Sequence, residues 1–122
     1  MGGRLFQDGD GIDEDGCLVI YGNDYDFYKL VLDTFQKEIV KTKDGMRDTF
    51  AAKDAENYRI LVHGLKGSGG SAGATHLVDL ATKSNALLKE GKWDEAAPLH
   101  EPIISELERL ITLIPERIAQ HG

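Results

Sequence analysis

A chain of 122 residues is long enough for one domain around a single modest core. With 41% hydrophobic and 29% charged residues it has the composition of a soluble globular protein, and its net charge of −7 excludes a general nucleic-acid binder, which needs a basic face. No apolar run approaches the ~20 residues of a membrane span and no signal peptide is visible, so the reading is a cytoplasmic protein or a soluble domain of a longer one.

Residues 1–23 are rich in Gly and Asp. Residues 1–10 read as a flexible arm, whose opening Met1-Gly2-Gly3 reads as partly appended, non-native sequence, and residues 11–122 as the folded domain. A short helix is expected around Asp13–Tyr21. The acidic run does not space its residues as a calcium loop requires: from Asp8 or from Asp13, the position that needs glycine holds Asp13 or Leu18. Cys17 is the lone cysteine, which excludes an internal disulfide and fits a reducing compartment. Nothing in the sequence pairs it with a base, so it reads as a small apolar residue rather than a nucleophile.

Helical periodicity begins at Asn23 or Asp24, either of which suits an N-cap. Phe27, Leu30, Val31, Thr34, Phe35 and Ile39 recur at 3–4 spacing as its core side, and the pattern weakens towards Lys53 with Gly45 as a break or bend. Asp54 is the expected cap of a helix running to Ala72, stopped by Gly73. Thr75 is expected to cap the next, with Leu77, Leu80, Ala81, Ser84, Leu87 and Leu88 on its core side and Gly91 after it. Asp94 is expected to cap the last, with Pro98 in its first turns, Pro102 as a bend and Pro115 bending or fraying its end. No segment has strand period. The fold class is therefore all-α: an antiparallel up-and-down four-helix bundle with a short N-terminal helix or arm.

The residues that point to chemistry lie in His63-Gly-Leu-Lys-Gly-Ser68, running on to Gly73-Ala74. Residues at i, i+3 and i+4 are helix neighbours, so His63, Lys66 and Gly67 share a patch, while Tyr58, Leu61, Val62, Leu65 and Ala72 fall on the other side. Gly67 and Gly70 continue the stripe of His63. Glycine costs ~1 kcal/mol in a helix relative to Ala, so glycine at 64, 67, 69 and 70 is poorly explained by stability. Close approach of another surface is the usual reason; Gly69 and Ala72 suit packing inside the bundle. This is what a phosphate-accepting histidine needs: an imidazole nucleophile, a nearby cation and no bulk. Lys66 would offset the phosphoryl charge, and Arg59, four residues before His63, is a candidate second cation.

These residues resemble the histidine-containing phosphotransfer (HPt) domain family, whose motif is a histidine, any residue, Leu-Lys-Gly-Ser or Ala, a run of small residues and Gly-Ala. Here His63, Leu65, Lys66, Gly67, Ser68 and Gly73-Ala74 stand in that register, with Gly64 and Gly69-Gly70 as departures from the commoner residues. The likeness extends to Gly11-Ile12-Asp13 with Gly16 and Leu18, to Phe27-Tyr28 through Phe35, and to Gly91-Lys92-Trp93-Asp94, covering about residues 11–114. The resemblance implies a phosphorelay intermediate that has no kinase activity of its own. A receiver domain carrying a phosphoaspartate docks over the His63 face, Nε2 attacks in line, Lys66 holds the phosphoryl oxygens, and a second receiver takes the group. It implies no cofactor on this domain, magnesium on the receiver, a sensor or hybrid histidine kinase upstream, and a monomer. Gly67, Gly70 and Arg59 would form the docking face, with Asn85 and Lys89 on its rim.

Other readings fit less well. The phosphoacceptor and dimerisation domain of a sensor kinase follows its histidine with an acidic residue and then a proline; here Gly64 follows, and the next proline is Pro98. A helical interaction module without chemistry remains as an alternative. The Gly-rich run lacks the ending of a phosphate-binding loop and no strand precedes it. His76, His100 and His121 are too scattered for a metal site, and Trp93 reads as core.

Overall fold

A computed structural model describes residues 3–121, so the start of the expected arm, Met1-Gly2, lies outside the described residues. Six helices follow one another: α1 (Glu14–Ile20), α2 (Tyr25–Ala51), α3 (Ala55–Ala72), α4 (Thr75–Lys89), α5 (Trp93–Ala96) and α6 (His100–Gln120), with a 3₁₀ turn over Ala97–Leu99 between the last two. The four long ones form the bundle. α3 packs on α2 and α4, and α6 closes the ring on α2 and α4. Tyr28 bonds to the end of α3 at Ala72 while Gly45 faces Leu61, so α2 and α3 run antiparallel. Tyr25 stacks on His121 while Phe50 stacks on His100, so α2 and α6 do too.

Each helix start follows from its first residues. Asp13, Asp24 and Asp54 accept from the backbone N–H groups of Gly16, Phe27 and Asn57, which would otherwise have no partner. Gly73 ends α3 in the left-handed conformation at φ 81°. A Cβ there would lie 2.8 Å from Cys17 Sγ and 2.9 Å from the Asp13 carbonyl, so only glycine fits. The core is made by Tyr28, Leu32, Phe35, Ile39 and Met46 of α2, Tyr58, Val62 and Leu65 of α3, Leu77, Ala81 and Leu88 of α4, and Ile103, Ile104, Leu107, Leu110 and Ile114 of α6.

Four expectations are corrected. The segment before Gly11 is docked from Gly3 onward rather than hanging free: Leu5 and Phe6 are buried, and both backbone N–H groups donate to the fully buried Glu14 carboxylate at 2.9 Å. Tyr25 Oη donates to the same carboxylate at 2.7 Å. Three donors satisfy a charge that burial alone would not tolerate. Thr75 does not cap α4; the cap position is Ala74, and the Thr75 hydroxyl donates to the Gly11 carbonyl. Asp94 lies in the first turn of the short α5, and the last long helix starts at His100, after the 3₁₀ turn that holds Pro98. Pro102 occupies the first turn of that helix, where a missing N–H costs nothing. Gly45 does not interrupt α2: a Cβ there would meet Leu61 Cδ1 at 3.1 Å, so this glycine lets α3 approach.

At the end of the bundle where α3 begins, His100 is buried against aromatic rings. Its ring centroid lies 3.8 Å from that of Phe50 with the two planes nearly parallel, and Nδ1 is 2.8 Å from Tyr58 Oη. Trp93 also stacks on Phe50, with ring centroids 5.3 Å apart. Burial pushes the His100 imidazole below its ordinary 6.5; exposed Glu101 opposes this and Arg47 adds to it. Below 6.5 the unfolded chain therefore takes up the proton before the folded one. The His100 contribution is complete above that pH and is lost as pH falls towards the depressed folded value. The melting temperature should drop below pH 6.5 with a component of one proton. His100→Gln, which keeps an acceptor for Tyr58, should lose that component. Equal pH slopes in the two proteins would exclude the linkage.

Candidate functional site

α3 turns two unlike faces to its surroundings. Val62 and Leu65 are buried at 0% and 1%, while His63 and Gly64 between them are exposed. One turn on, Lys66 is half-buried and Gly67 exposed; one turn back, Arg59 is half-buried; Gly70 extends the open face. The predicted residues thus share one side of one helix. Among the described residues no carboxylate pairs with Lys66 or Arg59, whereas Lys37, Arg47 and Lys92 are each engaged by an acidic neighbour. Two uncommitted cations therefore flank the His63 imidazole.

The glycines of α3 divide by surroundings. A Cβ at Gly64, Gly67 or Gly70 would meet nothing within 4 Å. At Gly69, by contrast, it would lie 3.0 Å from Val78 Cγ2, so this buried glycine lets α4 approach α3. Nor do the serines of this face offer hydroxyl donors outward: Ser68 Oγ donates to the Gly64 carbonyl and Ser71 Oγ to that of Gly67. The face is mostly bare backbone, one imidazole and two cations, with the exposed Ile60 one turn before His63.

Apolar grooves flank this strip. Between α2 and α3 one of about 340 Å³ runs along Phe27, Leu30, Val31 and Thr34, with Ser68 and Ser71 as its far wall. On the other side of α3, one of about 250 Å³ is lined by Ile20, Gly70 and Val78. Phe27 and Leu30 are 46% and 60% exposed, and Val19 and Ile20 of α1 are 77% and 75% exposed. Full burial of such a side chain is worth up to about 1.5–3 kcal/mol, of which these partly exposed ones forgo a share, and clustered exposure of this kind marks an interaction surface.

Two expectations fail here. Phe27 and Leu30 belong to the outer surface, because the buried stripe of α2 is Tyr28, Leu32, Phe35 and Ile39. An apolar pattern wider than one core stripe was the signal for a second face. Asn85 does not line a rim: it is 2% exposed on the inner side of α4, while Lys89 in the last turn is exposed. The scattered histidines lie apart, His76 at the start of α4, His100 among aromatic rings and His121 on Tyr25. Among the described residues no three His, Cys, Asp or Glu side chains gather as a metal site.

Known proteins resemble the chain in two ways. Residues 30–116 match the family model described as "Hpt domain". The fold matches the crystal structure of histidine-containing phosphotransfer protein B from Pseudomonas aeruginosa PAO1 with a TM-score of 0.78 at 22% identity, over 91% of this chain and 97% of that one. No curated protein matches the sequence.

Because nothing opposes a Cβ at the open glycines, Gly64→Ala and Gly67→Ala should each stabilise the fold by about 1 kcal/mol. The gain should appear as a higher urea midpoint at unchanged slope. Gly69→Ala should destabilise, since Val78 must give way. A loss of stability in Gly64→Ala would show that this face is packed within the chain.

Proposed function

Because the chain belongs to the Hpt domain family, we propose that His63 is its phosphoacceptor and that receiver domains dock over the α3 face. Histidine phosphotransfer in phosphorelay signalling is the role of the family and of this chain, which acts as a phosphocarrier. The observation that carries the assignment of the site is the exposure of His63 beside free Lys66 and Arg59, on a helix whose neighbouring glycines are bare.

The chemistry follows from that arrangement. The receiver's phosphoaspartate is a mixed anhydride. The Nε2 lone pair of His63 attacks phosphorus, the N–P bond forms, and the P–O bond to the aspartate breaks with the electron pair leaving on the carboxylate. The proton on Nδ1 passes to water, to which the exposed ring is open. The return step to a second receiver aspartate is the reverse. Lys66 supplies a mobile positive charge to the phosphoryl oxygens, with Arg59 one turn away. Magnesium belongs to the receiver, and this domain needs no cofactor and makes no use of ATP itself. Its own contribution is position: an in-line imidazole held on a rigid helix, with no side chain at 64 or 67 to keep the partner's backbone away.

The docking face extends beyond Gly67, Gly70 and Arg59. Phe27 and Leu30 on one side, and Val19 and Ile20 on the other, supply an apolar patch, with the charged groups as a polar rim. A monomer presents this face to one receiver at a time. The single buried cysteine and the absence, among the described residues, of a helix long and apolar enough to cross a membrane accord with a cytoplasmic site of action. A sensor or hybrid histidine kinase is the upstream source.

Incubation with a phosphorylated receiver should place an acid-labile, base-stable label on the wild type and none on His63→Gln. Label persisting on His63→Gln would move the acceptor elsewhere, and no transfer from a panel of receivers to a folded protein would favour an interaction module. Lys66→Ala should keep the site but slow transfer by about tenfold or more.

A separate variant tests the docking patch. Leu30→Ser should weaken receiver binding by roughly tenfold, the scale of one buried aliphatic contact, with only the small drop in melting temperature that serine's lower helix propensity brings. Unchanged affinity would exclude the α2 groove from the interface.

A further inference from the structure

Four Asp-Gly pairs occur in this chain, at 8–9, 10–11, 15–16 and 44–45. In such a pair the glycine amide nitrogen can attack the aspartate Cγ, because no Cβ shields it. That reaction needs an uncommitted carboxyl group, a free amide and a backbone able to leave helical geometry. The structure treats the four pairs unequally.

Asp44-Gly45 lies inside α2, where the Gly45 amide belongs to the helix and Leu61 fills the space beside it, 3.1 Å from where a Cβ would lie. Asp15-Gly16 lies in the first turn of α1; the Asp15 carboxylate is paired with Arg4, and the Gly16 N–H donates to Asp13 Oδ1 at 3.1 Å. The Asp10 carboxylate accepts from the Gln7 N–H at 2.8 Å and faces Arg117 at 3.4 Å, with its side chain 15% exposed. Asp8-Gly9 lies outside any helix, with neither a paired carboxylate nor a bonded glycine amide among the described residues. Both residues are exposed in a turn, and Gly9 adopts φ 91° with open space around it.

We propose that Asp8 is a site of spontaneous isomerisation to isoaspartate, and that the fold protects the other three pairs. The Gly9 nitrogen gives up its proton and forms a bond to Asp8 Cγ, and the carboxyl oxygen departs as water. A water molecule then opens the cyclic imide at either carbonyl. Opening at the original main-chain carbonyl leaves the chain running through Cγ. One water leaves and one enters, so the mass is unchanged, and no oxidant or cofactor takes part.

The product adds a methylene to the main chain within a closed turn. That turn is held by the Gln7 N–H on Asp10 Oδ2 and by the Asp10 N–H on the Gln7 carbonyl at 3.1 Å. The Asp10 carbonyl in turn accepts from Arg109 of α6 at 2.7 Å. Isomerisation therefore acts on the point where the N-terminal segment grips the last helix.

The test is prolonged incubation of the full chain at neutral pH, folded and in parallel in urea, followed by peptide mapping with electron-transfer fragmentation. Isoaspartate should form at all four pairs in urea. In the folded chain it should form at Asp8, with the other three at least about tenfold slower, since they react only through local opening. Asp8→Glu should remove the folded-state signal, while Asp44→Glu should leave it unchanged. Comparable isoaspartate at Asp10, Asp15 or Asp44 in the folded chain would overturn the proposal, as would its absence at Asp8 there when urea produces it.

Discussion

The carbonyls at the end of α3 are the constraint around which the bundle is assembled. A helix leaves its last C=O groups without partners, and here their partners come from distant parts of the chain. The Ser71 carbonyl accepts from Tyr21 Oη, that of Ala72 from Tyr28 Oη, and that of Gly73 from the Asp13 N–H at 2.7 Å. The left-handed Gly73 makes this possible by turning the chain with no Cβ in the space that Cys17 and Asp13 fill. One knot of peptide groups thus fixes α1, the first turns of α2 and the entry into α4 against α3. The level of His63 along the bundle is set by the same knot.

With its inner side and its end fixed, α3 can leave its outer side unimproved. Alanine at 64 or 67 would favour the helix and clash with nothing inside the chain. The molecule instead exposes backbone there, and exposes apolar side chains on α1 and α2 beside it. Both choices are unfavourable for an isolated domain and favourable for one that must bring a partner's phosphoryl group to an imidazole. Stability forgone on this surface is the counterpart of rigidity gained at the end of the helix, in the usual relation between function and stability.

Much of this was legible in the chain because local chemistry decided it. Asp24 and Asp54 cap helices by their own side chains, and Gly73 stops α3 by its own backbone, so tertiary context had nothing to override. His63, Lys66 and the glycines share a side of α3 by helical spacing alone. What escaped depended on long-range contacts. Phe27 and Leu30 fit a core pattern as well as Tyr28 and Leu32 do, and only the position of α3 decides which stripe is inside. Asn85 is buried by the packing around α4, which its polarity does not disclose. Thr75 has the hydroxyl of a cap, yet uses it on Gly11 across the chain. The arm read as free because Gly and Asp dominate it, whereas its order comes from the Glu14 carboxylate that receives Leu5 and Phe6.

That docked segment also brings remote parts of the polypeptide together. The His121 ring stacks on Tyr25, and its Nε2 lies 2.9 Å from the Gly3 carbonyl. A polypeptide that enters this fold at Gly3 leaves it beside its point of entry. The domain therefore has the form of a closed loop. It can be spliced into a surface turn of another protein without separating that turn's two arms, and it can be rejoined across residues 3 and 121 and reopened elsewhere, as at the turn around Gly91.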